Sequence, residues 1–493
     1  MPENHLYYGD NLDVLRRYIA SESVDLVYLD PPFNSNATYN VLFAEHSGEK
    51  AASQIKAFED TWSWDEEAAR SYFETVQAGG SVGNALQAFY TLLGDSNMMA
   101  YLAMMAPRLV ELRRVLKATG SIYLHCDPTA SHYLKLLMDA VFGPSCFRNE
   151  IVWHYYNKFQ RGDIKMFARD HDVLLFYAMS RESDFRSVYE QREKPVKQLK
   201  RKWDADTKRI VNAKDECGHV IWEEKTDRKV DDVWRLPYIV PASKEGLGYP
   251  TQKPEPLLER IILASSNEGD VVLDPFCGCG TAVAVAHRLK RRWVGIDITH
   301  LAVNLMKHRL MNTFGESVKA EYGVIGEPTD VAGARQLAKD DPYQFQWWAL
   351  GLVGARPEEQ KKGADKGIDG RIVFHEGDPT KPKHIILSVK AGANLHRNMV
   401  HELRGVIDRE GAAIGVLITM QPPTKPMREE AASAGFYQSP WGTHPRIQLF
   451  TVAALLDAMR IDAPPMGQVG QTFKKAPKAA RGGHETLALD LDA

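Results

Sequence analysis

The residues best suited to chemistry begin at Asp30-Pro31-Pro32-Phe33. A carboxylate and a proline-restrained carbonyl can both accept hydrogen bonds from an exocyclic NH2 group while an aromatic ring stacks on the plane that bears it. Residues 24–28 form an apolar run of strand length, and the two prolines forbid its continuation. Asp30 is therefore expected at the carboxyl end of a strand, the edge where open α/β sheets bind ligands. Asp-Pro is also common turn chemistry, so a second stretch is needed to decide. Residues 271–274 read as another strand, running into Pro275-Phe276-Cys277-Gly278-Cys279-Gly280-Thr281. Glycines there let backbone N–H groups approach a ligand, and the Ala-rich residues 282–289 read as a helix whose N-terminus favours an anionic group. The next strand, residues 292–296, ends in Asp297, an acid placed to hold ribose hydroxyls. The spacing G-x-G-x-x-G is absent, which makes a nicotinamide cofactor the poorer fit.

These residues need a scaffold. Residues 5–33 read as strand, helix, strand. Leu102, Met105, Leu109, Leu112 and Leu116 recur at three-four spacing, which predicts a helix over 101–117 with a core-facing stripe. Gly120 stops it, and residues 121–125 form a strand that brings His125, Cys126 and Asp127 to its carboxyl end, as core or as part of a site. A helix over 130–142 and strands at 150–153 and 171–177 follow. Residues 45–95, with Trp62 and Trp64, read as an insertion over the catalytic edge or as a packed helical decoration.

The chain has 493 residues, 44% hydrophobic and 25% charged, enough for two or three domains. The net charge of −3 excludes a globally basic nucleic-acid surface, so any such surface must be local. No apolar run reaches membrane-spanning length, and Met1-Pro2-Glu3-Asn4-His5 has none of the marks of a signal peptide. Five cysteines in so long a chain make no disulfide framework, so the expected setting is the reducing cytoplasm. Cys277-x-Cys279 lacks a second pair at metal-ligand spacing and reads as small side chains in a ligand loop.

Four motifs in one order resemble the amino-methyltransferases of DNA, in the class whose catalytic motif precedes its cofactor motif. Asp30-Pro31-Pro32-Phe33 resembles the catalytic (D/N/S)-P-P-(Y/F) motif, and Phe276-x-Gly278-x-Gly280 the S-adenosylmethionine loop. Gly248-Tyr249-Pro250-Thr251-Gln252-Lys253-Pro254 is similar to the segment leading into the cofactor strand, and Tyr7-Tyr8-Gly9-Asp10-Asn11 to the Gly-Asp that meets the cofactor adenine. The resemblance covers roughly residues 5–312. It implies a Rossmann-like α/β methyltransferase domain over 1–312 with an inserted target-recognition region near 192–235. There Lys194, Lys197, Lys200, Arg201 and Lys202 interleave with Trp203 and Trp222. It implies S-adenosylmethionine held by Asp10, Phe276, Gly278, Gly280 and Asp297, with Asp274 and Thr281 beside them and Thr251 and Lys253 lining the approach. The substrate would be a flipped base in double-stranded DNA, its amine held by Asp30 and Pro31 beside Pro32 and stacked on Phe33. Asp in the first motif position favours adenine N6. Cytosine N4 stays open, as does a homodimer.

After a connector at 313–332, residues 333–460 resemble the Mrr-type restriction nucleases of the PD-(D/E)xK fold, a smaller α/β domain. The resemblance implies Mg2+ at Asp369 with Lys390 and Gln346. Ser388 stands where the second acid belongs, so either a Mg2+-dependent nuclease fused to the methyltransferase or a non-cleaving DNA-binding module is expected. Residues 466–493 are Gly-, Lys- and Ala-rich and read as a flexible tail.

Overall fold

The computed structural model describes residues 3–32, 63–158, 165, 167–240, 243–249, 251–358, 367–376 and 382–464. Phe33, Pro250 and the tail expected at 466–493 lie outside them.

The strands of the first half are β1 (Asn4–Tyr8), β2 (Val24–Leu29), β3 (Leu116–Cys126), β4 (Phe147–His154) and β5 (His171–Ala178). They continue with β6 (Tyr189–Leu199), β7 (Arg201–Asp204), β8 (Arg209–Asn212), β9 (Trp222–Lys229), β10 (Val233–Arg235), β11 (Val271–Asp274), β12 (Arg292–Asp297) and β13 (Tyr322–Ile325). Among the described residues nine of these form one sheet in the order β10-β4-β5-β3-β2-β11-β12-β1-β13. From β10 to β5 the sheet holds the antiparallel pairs β3/β5 and β5/β4; from β3 through β13 every pairing is parallel.

Helices cover both faces. On one side lie α1 (Asn11–Tyr18), α2 (Glu66–Ala78), α3 (Gly80–Leu93), α4 (Asn97–Val115) and α5 (Ser131–Phe142), whose Leu15, Leu86, Leu102, Leu109 and Leu134 share one buried core. On the other lie α6 (Glu255–Ser265), α7 (Thr281–Arg288) and α8 (His300–Phe314), which contribute Ile261, Val283, Val303 and Met306 to a second core. The near-continuous apolar runs in β2, β3 and β11 follow from this: a parallel strand covered on both faces has no wet side.

The sheet's winding places the site. Strands β2 and β11 are parallel neighbours, with Leu26 opposite Val272 and Val27 opposite Leu273. From β11 the chain crosses through α7 to β12, while β2 feeds β3 on its other flank. Where adjacent strands lead in opposite directions, a crevice opens at their carboxyl ends. Asp30 and the loop after Asp274 both begin there.

Of the expected insertion at 45–95, residues 66–93 are the packed helical decoration: α2 and α3 bury Tyr72, Leu86 and Phe89 in the main core. The segment expected as a connector, 313–332, instead carries β13, which extends the sheet beyond β1 with Leu6 opposite Val324. Its four residues are all half-buried, so the alternation that marks a strand is missing. Strands β6 and β9 pair as an antiparallel ribbon and β7 with β8 as a hairpin, both outside the main sheet.

The C-terminal unit begins with α9 (Val331–Asp340) and α10 (Pro342–Leu352). Its strands are β14 (Arg356–Pro357), β15 (Gly370–Phe374), β16 (Lys383–Lys390), β17 (Ile414–Thr419), a hairpin of β18 (Phe436–Ser439) and β19 (Gly442–Pro445), and β20 (Ile447–Thr451). The sheet order is β14-β15-β16-β17-β20, with α11 (Arg397–Glu410) and α12 (Lys425–Ser433) packed on one face and α10 on the other. The unit has its own buried cores yet is tied to α8. The Gln344 side-chain oxygen accepts from the His300 backbone N–H (2.9 Å), and Asn304 Nδ2 donates to the Trp347 carbonyl (3.0 Å).

Candidate active site

Asp30 follows the last residue of β2, its side chain 14% exposed. Its Oδ2 pairs with the Lys253 ammonium, and its Oδ1 lies 3.9 Å from His125 Nδ1. Lys253 belongs to the loop entering α6, where Pro254 caps the helix and the resulting turn sends the side chain toward β2. The carbonyl of the same residue accepts from Thr281 Oγ1 (3.2 Å), at the first position of α7. Asp30 and the Gly-rich loop, 250 residues apart, are thus joined by one residue contacting both. Asp30, Pro31, Pro32, Lys253, Phe276 and Gly278 line a single cavity of about 910 Å3.

The loop has the backbone its glycines allow. Gly278 and Gly280 take φ of +48° and +73°, the left-handed region. A Cβ on Gly280 would stand 2.5 Å from Met306 Cγ of α8, so the loop lies tight on that helix. The Tyr249 ring covers Gly278 from the other side. Asp297, at the end of β12, accepts from the Gly278 N–H through Oδ2 (2.9 Å) and from the Thr299 N–H and hydroxyl through Oδ1 (2.9 Å each). The Ile298 backbone adds a further hydrogen bond, so the carboxylate is held from four directions. Asp274 is buried at the end of β11 and accepts from the Phe276 N–H (3.1 Å).

Burial raises Asp274 well above the usual carboxylate range, against the Phe276 hydrogen bond and with Asp30 and Asp297 adding repulsion. Burial likewise raises Asp297, opposed by the Thr299 and Gly278 bonds. Asp30, Asp274 and Asp297 stand with Lys253 among the seven acidic and four Lys or Arg side chains that line the cavity. A cationic ligand seated beside Asp274 and Asp297 would favour their ionised forms, against the burial that raises them.

The amino end of the chain closes the loop's other flank. Asp10 Oδ1 caps α1 by accepting from the Leu12 N–H (2.8 Å), and its Oδ2 accepts from Arg108 Nη2 (2.6 Å). Arg108 Nε also donates to Asn11 Oδ1 (2.6 Å), and Asn11 Nδ2 donates to the Pro275 carbonyl (2.9 Å). The expected site residues that are described, Asp10, Asp30, Pro31, Pro32, Thr251, Lys253, Asp274, Phe276, Gly278, Thr281 and Asp297, all line the one cavity, with Gly280 in the loop between. Arg108 was not singled out from the sequence, and Asn11 stood inside a quoted segment without a role of its own. Arg108 sits on a helix otherwise read as core, and only its burial, 8% exposed, betrays it. Tyr249 stood inside a singled-out segment without a role of its own.

In the C-terminal unit Asp369 precedes β15, and its Oδ2 accepts from the Ser388 hydroxyl (3.1 Å) and the Val389 N–H (2.7 Å). Ser388, in the second acid's place, thus donates to the first acid. Lys390 ends β16 and Gln346 is half-buried on α10. Among the described residues no group of three or more His, Cys, Asp or Glu side chains could hold a metal ion. The expectation of Mg2+ finds no support here. Nor does any described helix have the length and apolarity to cross a membrane.

Comparison with known proteins agrees with this division. A family model described as DNA methylase, of the N6/N4 type, matches residues 24–308. A second, described as NACHT-associated inactive Restriction Endonuclease 1, matches residues 343–457, in place of the expected Mrr type. The Type II methyltransferase M.HpaI of Haemophilus parainfluenzae is 31% identical over 44% of this chain, which spans 62% of that protein's length. The DNA adenine methyltransferase YhdJ of Escherichia coli is 27% identical over 62% of this chain and 82% of its own length. Among solved structures, the M1.HpyAVI–SAM complex is 16% identical with a TM-score of 0.35, covering 62% of this chain and 98% of its own. The methylase match spans more than half of the residues, and the chain belongs to the N6/N4 family of DNA methylases.

Proposed function

We propose that the chain transfers a methyl group from S-adenosylmethionine to adenine N6 of a base flipped out of double-stranded DNA. The observation that carries this reading is the junction of Asp30 with the Gly278 loop in one cavity, through Lys253 and Thr281. The donor suits the residues present: a cationic sulfonium is complementary to the acid-rich cavity, and the left-handed backbone of Gly278 and Gly280 beside the fixed Asp297 carboxylate suits a nucleoside. The donor supplies an activated methyl on a good leaving group. The protein supplies position and charge. A base in the stack cannot reach the cavity, so it must be extruded. Asp30 Oδ1 and the Pro31 carbonyl accept from its amine, aiming the nitrogen lone pair and stabilising positive charge as it grows. Phe33 would stack on the base.

Adenine is favoured by Asp at position 30 and by similarity to a relative named as an adenine methyltransferase. Target recognition is assigned to the ribbon and hairpin of β6–β9, where Trp203 is 64% and Trp222 59% exposed among lysines and arginines. Exposed indoles beside cations suit contact with bases and phosphates. The C-terminal unit is assigned as a non-cleaving module that adds DNA contacts. The reading is tested by incubating the full chain with duplex DNA and isotopically labelled donor, then digesting the DNA to nucleosides for mass spectrometry. Label in N6-methyladenine is expected; label in N4-methylcytosine would overturn the base assignment.

A further inference from the structure

We propose that Gln344 of the C-terminal unit is a positioning residue for the donor site: it holds the start of α8, and with it the Asp297 turn, in the geometry that binds the donor. The inference rests on the reading of the cavity as a site for S-adenosylmethionine.

The first amides of a helix have no partner within it, and a buried helix start must find partners elsewhere. At α8 the Thr299 hydroxyl accepts from the Ala302 N–H (3.2 Å), and the Gln344 side-chain oxygen accepts from the His300 N–H (2.9 Å). Thr299, His300 and Gln344 are all buried, so the junction is closed to bulk water. The Thr299 hydroxyl and N–H both donate to Asp297 Oδ1 (2.9 Å each). A continuous path therefore runs from the C-terminal unit to an acid of the cavity: Gln344 to His300, His300 to Thr299 along the chain, Thr299 to Asp297. Gln344 is itself fixed, its N–H donating to Asp341 Oδ1 (3.1 Å) at the cap of α10. The His300 ring stacks on Tyr8 of β1, with centroids 3.7 Å apart at 16°, and the neighbouring Gly9 N–H donates to the Asp297 carbonyl (3.0 Å).

A second connection runs through the body of α8. His300 and Asn304, one turn apart, share the side that meets the C-terminal unit. Asn304 Nδ2 donates to the Trp347 carbonyl (3.0 Å), and α10 lies so close that a Cβ on Gly351 would stand 2.2 Å from that nitrogen. Met306 and Arg309, three residues apart, meet the donor loop instead. A Cβ on Gly280 would stand 2.5 Å from Met306 Cγ, and Arg309 Nη1 donates to Thr281 Oγ1 (2.9 Å). One helix thus bears on the C-terminal unit and on the donor loop together. Among the described residues, none of those lining the cavity lies beyond Ile298. The C-terminal unit therefore reaches the donor only through α8 and the turn before it, a role that needs neither cleavage nor a metal.

The test uses the full chain. Gln344→Met keeps the side chain's length, removes its acceptor and leaves the buried His300 N–H unpaired. Affinity for S-adenosylhomocysteine, by calorimetric titration, is expected to fall about tenfold. The single-turnover rate at saturating donor should stay within about threefold, because the loss is one of binding. Glu430→Gln is the control. Glu430 is buried and joins Arg397 (2.8 Å) to His401 (3.0 Å) within the C-terminal unit, so its loss should lower the melting temperature and leave donor affinity unchanged. Coupling is reciprocal, so the donor must also steady the junction. S-adenosylhomocysteine should slow amide hydrogen exchange across residues 342–352 of the wild-type chain, a helix outside the cavity, and should not do so in Gln344→Met. If Gln344→Met does not fold, the wild-type exchange decides. Unchanged donor affinity in a folded Gln344→Met, an equal loss in Glu430→Gln, or wild-type exchange indifferent to S-adenosylhomocysteine would each overturn the proposal. Failure of the wild-type chain to bind S-adenosylhomocysteine at all would instead remove the donor reading on which it rests.

Discussion

Replacing Arg108 with Met tests whether the amino end of the chain holds the Gly-rich loop in place. Methionine keeps most of the buried stem and removes the guanidinium. Three hydrogen bonds disappear: to Asp10 Oδ2 (2.6 Å), Asn11 Oδ1 (2.6 Å) and the Met104 carbonyl (2.8 Å). The Asp10 side chain is 39% exposed, so its lost ion pair is screened to about 1 kcal/mol. Asn11 is buried, and its orphaned oxygen costs about 1–3 kcal/mol. The expected destabilisation is therefore about 2–4 kcal/mol, which leaves a domain of ordinary stability, roughly 5–15 kcal/mol, folded. Because Asn11 also holds the Pro275 carbonyl (2.9 Å), donor affinity should fall about tenfold, equivalent to about 1.4 kcal/mol. Urea melts and calorimetric titration of a donor analogue read the two effects. A double-mutant cycle with Asn11→Ala should show coupling of about 1 kcal/mol or more. Additivity within about 0.3 kcal/mol, with donor affinity unchanged, would refute the linkage.

Four further outcomes are expected. Gly280→Ala forces a Cβ to 2.5 Å from Met306 Cγ at a φ of +73°, and should cost about 1–2 kcal/mol in backbone strain alone and sharply reduce donor binding by titration. Gly351→Ala places a Cβ 2.2 Å from Asn304 Nδ2, so the Asn304–Trp347 bond must break, and melting should shift downward by about 1–3 kcal/mol in stability. Asp274 and Asp297 are raised by burial, so their contribution to stability is present below the unfolded pKa and lost as pH rises through the folded one. A cationic donor favours their ionised forms, and its preference over the neutral S-adenosylhomocysteine should widen as pH rises, read by thermal shift. Trp203→Ala and Trp222→Ala should each weaken duplex binding by about 1–2 kcal/mol in fluorescence titrations and leave donor affinity unchanged.

How much of this was legible beforehand divides along physical lines. Strand ends and glycine loops announce themselves locally: Pro31 and Pro32 must stop β2, and Gly278 and Gly280 do take positive φ. The parallel core strands were readable because burial on both faces makes them apolar throughout. The roles of Lys253, Thr281 and Arg108 as ties were not readable, because each joins segments about 28 to 223 residues apart and depends on the winding of the sheet. Strand β13 was missed because its pairing with β1, rather than its own pattern, makes it a strand. Ser388 carried its warning in the sequence, and the structure adds to it: its hydroxyl donates to Asp369, the acid expected to hold the metal.

The most direct measurement compares wild-type chain with Asp30→Ala in transfer of labelled methyl to duplex DNA, with donor binding followed in parallel. If Asp30 and the Gly278 loop serve one transfer, donor binding should persist while incorporation falls by at least about a hundredfold. Incorporation at the wild-type rate in Asp30→Ala would contradict the account.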